Sequence, residues 1–545
     1  MTIDASAPPL VALAATVREP GGAPEIAEVR LDALRADEVL VAVAASGVCH
    51  TDLTALDGGV GYAFPAVFGH EGAGTVVEVG SAVTRVAAGD RVVLTFDSCG
   101  TCRRCRDGHP ASCEEFAARN YRGARADGSP TLRDAAGEPV AAAWMAQSSW
   151  ATHAIARETN VVRIGDHIPF TLAAPLGCGV LTGAGTVLRA LRPTDRDSLL
   201  VVGAGTVGLS AVMAGRALGC ATITVVEPDA GRRALAIELG ADAAVAPDAF
   251  DPRATAHDLA IDTVGTQESL DAALGGLASP GVCATVALRP GVNRVTVSQT
   301  ALLWGRTLVG VIEGDAVPDA TIPLLVEMWR AGLLPLERLV VPFRFERVDD
   351  AVGAARVGRA VKAVLTFGDE PVPAASGPTV ASAADRVRRI AAAGAGDAAE
   401  LEMLWDLLPA ARAADLRGLW HGAGIDTGHR TQQLLVSSRW YGKNFIDAET
   451  VQPLVVRDEH GELRSASALA GGAGAWLADA AHRGKVTATM SYDARPLHDH
   501  FVRVDADTLL GVMAGRGALD DGRPYYFVLE RDPRGEVGPL PELDA

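Results

Sequence analysis

Residues 198–229 read SLLVVGAGTVGLSAVMAGRALGCATITVVEPD: an apolar run, a glycine cluster, a stretch with apolar residues at helical spacing, and a second apolar run. That order predicts a strand, a tight turn, a helix and a parallel strand, the repeating unit of an α/β fold. Gly203, Gly205 and Gly208 form GxGxxG, with Thr206 and Val207 inside it. The glycines allow the turn, the approach of a pyrophosphate and close helix-on-strand packing, and the helix start offers its amides and dipole to the phosphates. Alone the motif is weak. Between a strand and a helix, with Glu227 24 positions past Gly203, it points to a dinucleotide. Glu227 is expected to hold the ribose hydroxyls and repel a 2'-phosphate, favouring NAD, while Arg232 and Arg233 leave some room for NADP.

Upstream lies CGTCRRCRDGHPASC, residues 99–113, with thiols at Cys99, Cys102, Cys105 and Cys113. All eight cysteines precede residue 284, and half of them crowd into this segment, whereas a secreted disulfide framework would be spread over the fold. A reducing, cytoplasmic setting and a metal follow as expectations. Four soft ligands with no open position suit a structural zinc, although an iron–sulfur cluster uses similar spacings. A second set is dispersed: Cys49 in SGVCHTD, His70 and Glu71 in FGHEGAG, and Cys178 in PLGCGVLTG. Each residue alone is as readily explained by packing. Together, two thiolates and an imidazole make a catalytic zinc set with a position left for substrate.

Composition narrows the partners. With 545 residues, 48% hydrophobic and 21% charged, the chain can bury several cores. A net charge of -18 argues against nucleic acid and anionic membranes, and no stretch stays apolar for the roughly 18 residues of a membrane helix. A small hydrophobic alcohol or aldehyde, and further copies of the chain as a dimer or tetramer, are the expected partners.

Residues 8 to about 368 resemble the zinc-dependent medium-chain alcohol dehydrogenases. CEEF from Cys113, ADGSPTL, AQSS, PLGCG and GAGTVGLSAVMAGRALG resemble the aryl or benzyl alcohol branch. The resemblance implies a GroES-like, β-rich catalytic domain of residues 8–184, rejoined by 321–368, around a doubly wound Rossmann domain of 185–320. It makes Cys49, His70 and Cys178 ligands of one catalytic zinc, the Cys2His set for which alcohol dehydrogenase is the type example, and Glu71 an acid that approaches the metal. His50 and Thr51 become catalytic candidates, with Thr51 taking the alcohol proton; Asp52 orients the liganding histidine; Thr182 packs on the nicotinamide; Lys362 reaches the pyrophosphate. One departure stands out: many members carry a histidine that hands the proton to solvent where this chain has Thr54. Phe68, Trp144 and Met145 are candidates for pocket walls or for core. The implied reaction interconverts a primary aromatic or allylic alcohol and its aldehyde, with a reductase running toward the alcohol as the alternative.

Residues 369–381 are rich in Pro, Gly and Ser and read as a linker. From 382 to 545, one or two short helices are expected, then strands in QQLLVSS, QPLVVRD, KVTATMSY, HFVRVDADTLLGVM and PYYFVLERD, making a small, mainly-β barrel open at its mouth. GLWHG, residues 418–422, resembles the GXWXG module, and SYDARPLHDHF, DTLLGVM and YYFVLER resemble the domain of unknown function that follows it. No activity is transferable from that family. Trp420, His421, Trp440, Tyr441, Lys443, Asp493, His498 and His500 are its polar or aromatic candidates. If LHDHF is extended, His498 and His500 share one face and Asp499 takes the other. Two readings are carried: a catalyst, with His498, His500 and Asp493 as candidates, that isomerises the aldehyde's double bond; and a noncatalytic ligand-binding or assembly module.

Overall fold

The computed structural model describes residues 10–368 and 382–543; the linker expected at 369–381 lies outside the described residues. The chain divides into two compact units, one up to residue 380 and one from 381.

In the first unit, the strand Glu38–Val48 organises a seven-stranded sheet, pairing with Gly72–Val79, His153–Arg157 and Lys362–Thr366. Its alternating Val39, Val41 and Val43 enter a core with Val76, Val92 and Leu94. The pairing of Ala363–Thr366 with Ala45–Val48 brings the end of this unit back to its beginning, alongside Cys49. A separate five-stranded sheet includes Val11–Val17 and Glu25–Leu31.

Between these segments lies a six-stranded parallel sheet of β1 (Ser198–Val202), β2 (Thr222–Val226), β3 (Ala243–Val245), β4 (His257–Asp262), β5 (Leu277–Thr285) and β6 (Arg306–Gly310). Its order, β3-β2-β1-β4-β5-β6, reverses direction at β1 and β4, and the crevice beyond the carboxyl ends of those strands is where such sheets receive a dinucleotide. Both faces of β1 are covered, which explains its unbroken LLVV. The helix Thr206–Leu218 starts inside the glycine cluster.

The second unit is an antiparallel barrel of β7 (Gly418–Gly424), β8 (Trp440–Phe445), β9 (Val451–Arg457), β10 (Ala475–His482), β11 (Lys485–Tyr492), β12 (Leu497–Arg503), β13 (Thr508–Gly515) and β14 (Tyr525–Arg531). Pairing runs β8-β7-β14-β13-β12-β11-β10-β9 and closes from β9 to β8. Inward-facing Trp420, Phe445, Met490, Phe501 and Phe527 are part of its core. The two helices expected ahead of it are Ala383–Ala393 and Ala398–Leu407. QQLLVSS, expected as a strand, lies in the helix Arg430–Ser437 instead. The His429 ring accepts the Thr431 amide at its start, and only Leu435 reaches the barrel core, leaving Leu434 and Val436 52% and 68% exposed. A short apolar run does not distinguish a strand from a helix that buries one residue.

Candidate active site and metal centres

Cys49 ends the central strand and caps the helix His50–Leu56, His70 precedes the strand Gly72–Val79, and Cys178 caps the helix Gly179–Gly185. One donor atom from each of Cys49, His70, Glu71 and Cys178 falls within 4.8 Å of all the others. His70 Nε2 lies 3.2 Å from Cys178 Sγ, while Nδ1 lies 2.6 Å from Asp52 Oδ1. Asp52, fully buried, also accepts from the amides of Cys49 and Gly69 and from Trp144 Nε1. Such anchoring fixes the ring with Nε2 turned toward the thiols. Trp144 is therefore part of the support of His70, and Phe68 and Met145 are buried. The hydrogen bond from Cys178, ahead of the nearby Lys362 charge, holds the Cys49 thiol well below its usual range, while the same contact and burial push Cys178 up. Two sulfurs and an imidazole nitrogen converging in this way fit zinc.

Thr51 is half-buried and His50 exposed at the start of their helix. Lys362 has a partner that its place in the sequence does not announce. Its Nζ lies 2.8 and 2.7 Å from the two carboxylate oxygens of Glu71, because a carboxylate so deeply buried needs a counter-charge. The Gly179 amide also donates to Glu71. Burial raises the Glu71 pKa, and Lys362 opposes that rise. Replacing Lys362 with Met is expected to destabilise the first unit by about 3–5 kcal/mol, by leaving an uncompensated carboxylate. Urea unfolding would measure it, and adding Glu71→Gln should restore most of the loss.

The glycine cluster fits a dinucleotide for three distinct reasons. Gly203 has φ +96, a Cβ on Gly208 would stand 1.9 Å from the Gly203 carbonyl oxygen, and a Cβ on Gly205 would meet nothing within 4 Å, leaving room for a pyrophosphate. Glu227 accepts from the amides of Ala204 and Asp229, which ties it to the glycine turn. Arg232 donates to the Gly358 carbonyl and Arg233 to those of Glu227 and Pro228. The cofactor helix adjoins the metal ligands: a Cβ on Gly179 would lie 3.1 Å from the Thr206 side chain, and one on Gly183 would lie 2.0 Å from the Val207 carbonyl oxygen. Thr182 is buried in the same helix.

Glu313 gave no signal in the sequence. It is buried with Oε1 3.7 Å from Cys178 Sγ, in a segment where Glu313 and Asp315 both take positive φ, and burial pushes its pKa up to about 7. No motif marks VIEGDAVP; only the folded chain brings it to the thiol.

The four thiols of residues 99–113 also converge within 4.8 Å. Cys102 and Cys105 sulfurs are 3.5 Å apart, and Cys99 and Cys105 3.9 Å, close to the roughly 3.8 Å that tetrahedral ligands with 2.3 Å bonds require. Amides of Thr101 and Cys102 donate to Cys99 Sγ and, against burial, bring its pKa down to about 6.

In the barrel, β12 turns His498 and His500 outward, not toward a ligand at the mouth. Their neighbours on that face are Ser491 and Thr489, and His500 stacks on His482 with ring centres 3.9 Å apart. Burial, then the two neighbouring imidazoles, lowers His500 to about 4. Asp493 is exposed beyond the end of β11. Among the described residues these groups do not form a metal cluster.

Residues 35–166 match the alcohol dehydrogenase GroES-like domain, and residues 206–329 the zinc-binding dehydrogenase family. Residues 403–461 match the GXWXG protein family, and residues 473–531 a domain of unknown function, DUF4334. A geraniol dehydrogenase from Castellaniella defragrans is 42% identical over 366 residues, 65% of this chain and 98% of its own length. Among solved structures, an alcohol dehydrogenase zinc-binding domain protein from Burkholderia ambifaria is 40% identical with a TM-score of 0.65, covering 66% of this chain and 100% of that one. Benzyl alcohol dehydrogenase from Acinetobacter calcoaceticus is 35% identical with a TM-score of 0.63 over the same shares. Relatives matched along nearly their whole length at this identity settle the kinship that the converging thiols and the glycine turn suggest: the chain belongs to the zinc-type alcohol dehydrogenase family.

Proposed function

We propose that the first unit interconverts a primary allylic or aromatic alcohol and its aldehyde with NAD, and that the second unit acts on that aldehyde. The observation that carries the first part is the close approach of Gly179, the neighbour of Cys178, to the helix Thr206–Leu218, where a Cβ on Gly179 would lie 3.1 Å from the Thr206 side chain. It supports a reading in which zinc held by Cys49, His70 and Cys178 would lie close to the helix start that would receive the dinucleotide's phosphates.

When bound, zinc supplies a Lewis acid that lowers the pKa of a substrate hydroxyl, and NAD supplies the hydride acceptor. The residues do the rest. Thr51 takes the hydroxyl proton, and His50, exposed at the same helix start, passes it to water where Thr54 offers no imidazole. Asp52 and Trp144 keep His70 oriented. Glu227 receives the ribose hydroxyls and disfavours a 2'-phosphate. The geraniol and benzyl alcohol dehydrogenases among the relatives support an allylic or benzylic substrate. All eight cysteines are free, which supports a reducing, cytoplasmic setting.

The test is NADH formation by the full chain on geraniol, benzyl alcohol and ethanol, with product mass. Geraniol or benzyl alcohol should exceed ethanol by about 100-fold in kcat/KM, and NAD should be preferred to NADP. Equal turnover of ethanol, or a preference for NADP, overturns this reading.

A further inference from the structure

The interior of the barrel holds a charged pair that alcohol oxidation does not use. Lys443 Nζ lies 2.7 Å from Asp499 Oδ2, with the two side chains 2% and 3% exposed. Tyr492 donates to the same oxygen at 3.1 Å. Lys443 also donates to the Pro453 carbonyl at 3.2 Å and lies 3.4 Å from the Tyr492 hydroxyl. Around the ammonium stand the rings of Phe527, Tyr492 and Trp440, with centres 5.2, 5.7 and 5.9 Å away. Hydrophobic side chains of similar volume would fill this place without removing two charges from water, so stability does not account for the pair.

The backbone is shaped around it. The β8–β9 register shifts at Gly442, where a Cβ would stand 1.9 Å from the Trp420 carbonyl oxygen. This bulge sends Tyr441 to the outer cluster while Trp440 and Lys443 face the interior. The second glycine of GLWHG, Gly422, has the same purpose: a Cβ there would lie 2.2 Å from the Trp440 indole. Trp440, Leu454, Tyr492 and Met513 pack on the barrel core yet keep partial exposure, so the core is least sealed from solvent at these side chains. Both described contacts of Asp499 fall on Oδ2, leaving Oδ1 for a ligand.

We propose that this is a catalytic site for a conjugated, unsaturated aldehyde, with Asp499 as the base and Lys443 and Tyr492 as donors to the carbonyl oxygen. Apolar walls suit the hydrocarbon, and the ammonium suits negative charge developing on oxygen. Asp499 Oδ1 takes a proton from the γ carbon. The C–H electron pair becomes a β–γ double bond, the α,β pair moves between the carbonyl and α carbons, and the carbonyl pair settles on oxygen beside Lys443. The α–β bond is now single and free to turn. Return of the proton to the γ carbon gives the other geometric isomer, and return to the α carbon moves the double bond. No electrons leave the substrate, so no oxidant is needed.

The inference rests on the reading that the first unit makes such an aldehyde, and the experiment separates the two by supplying the aldehyde directly. The full chain, without NAD, is given geranial in D2O, and the aldehyde is followed by mass and NMR. Deuterium should enter the γ positions with E/Z exchange, and Asp499→Asn should slow this by about 100-fold or more while geraniol oxidation in the presence of NAD is unchanged. Tyr492→Phe, a smaller change should the Asp499 variant unfold, should also slow it. Cinnamaldehyde, which has no γ hydrogen, should gain no deuterium. Exchange by the unaltered chain no faster than the buffer blank, or by Asp499→Asn at the unaltered rate, overturns the proposal. Failure of the dehydrogenase reading would show separately, as exchange without alcohol oxidation.

Discussion

Replacing Cys49 with serine should lower alcohol oxidation by about 1,000-fold or more while moving the melting temperature of the first unit only slightly. A serine hydroxyl is a weak, protonated ligand, so the cluster that brings Cys49, His70, Glu71 and Cys178 within 4.8 Å would lose one of its two sulfurs and most of its hold on zinc. Without the Lewis acid the substrate hydroxyl keeps its high pKa, and removing several kcal/mol of charge stabilisation costs about three decades of rate. Folding should survive. Cys49 sits where a strand already paired on both sides passes into a helix, and the Asp52 carboxylate continues to accept from the amides of residues 49 and 69. The check is metal content together with NADH formation: zinc should fall from about two to about one ion per chain. A variant that keeps a tenth of the activity, or both ions, would sink the assignment.

The dinucleotide segment was legible because each signal is local. β1, the glycine turn, the helix and Glu227 lie within about 30 residues, and strand and helix periods differ enough to be told apart. The metal ligands were legible as short contexts, yet their meeting depends on the return of the strand Lys362–Thr366 and on two helix starts, which no spacing encodes. Lys362 illustrates the limit. A basic residue at a familiar position suggests a phosphate, and nothing in the sequence announces that it also pairs with Glu71, 291 residues earlier. In the barrel, strand period gave the opposite faces of His498 and Asp499 but not which of them looks inward. That is set by closure of the sheet, with Met490 and Met513 opposite Asp499 on the inner wall. The pairing of Lys443, itself a named candidate, with Asp499 is not legible because the two lie on strands far apart in sequence, and the bulge at Gly442 alters the alternation that would have placed Lys443.

Replacing Cys102 with serine should act in the reverse order, through folding first and turnover second. Of the four cysteines in residues 99–113 only Cys113 is buried, and the helix Arg103–Arg106 buries no residue, so the segment has little apolar surface to order it without a metal. In such a lobe, metal binding and folding are one equilibrium. The lobe also braces the active site. His109 Nδ1 lies 2.8 Å from Asp315, and Arg189 donates both to the Gly108 carbonyl and to that of Asp315, in the short turn whose Glu313 touches Cys178. Losing the ion should therefore lower the melting temperature of the first unit by on the order of 10 °C, open residues 99–113 to protease, and reduce turnover in step with the folded fraction. Calorimetry, limited proteolysis and metal analysis on the same preparation would decide it. An unshifted melting transition in a Cys102→Ser chain that has lost one zinc would show that the tetrathiolate does not hold the lobe together.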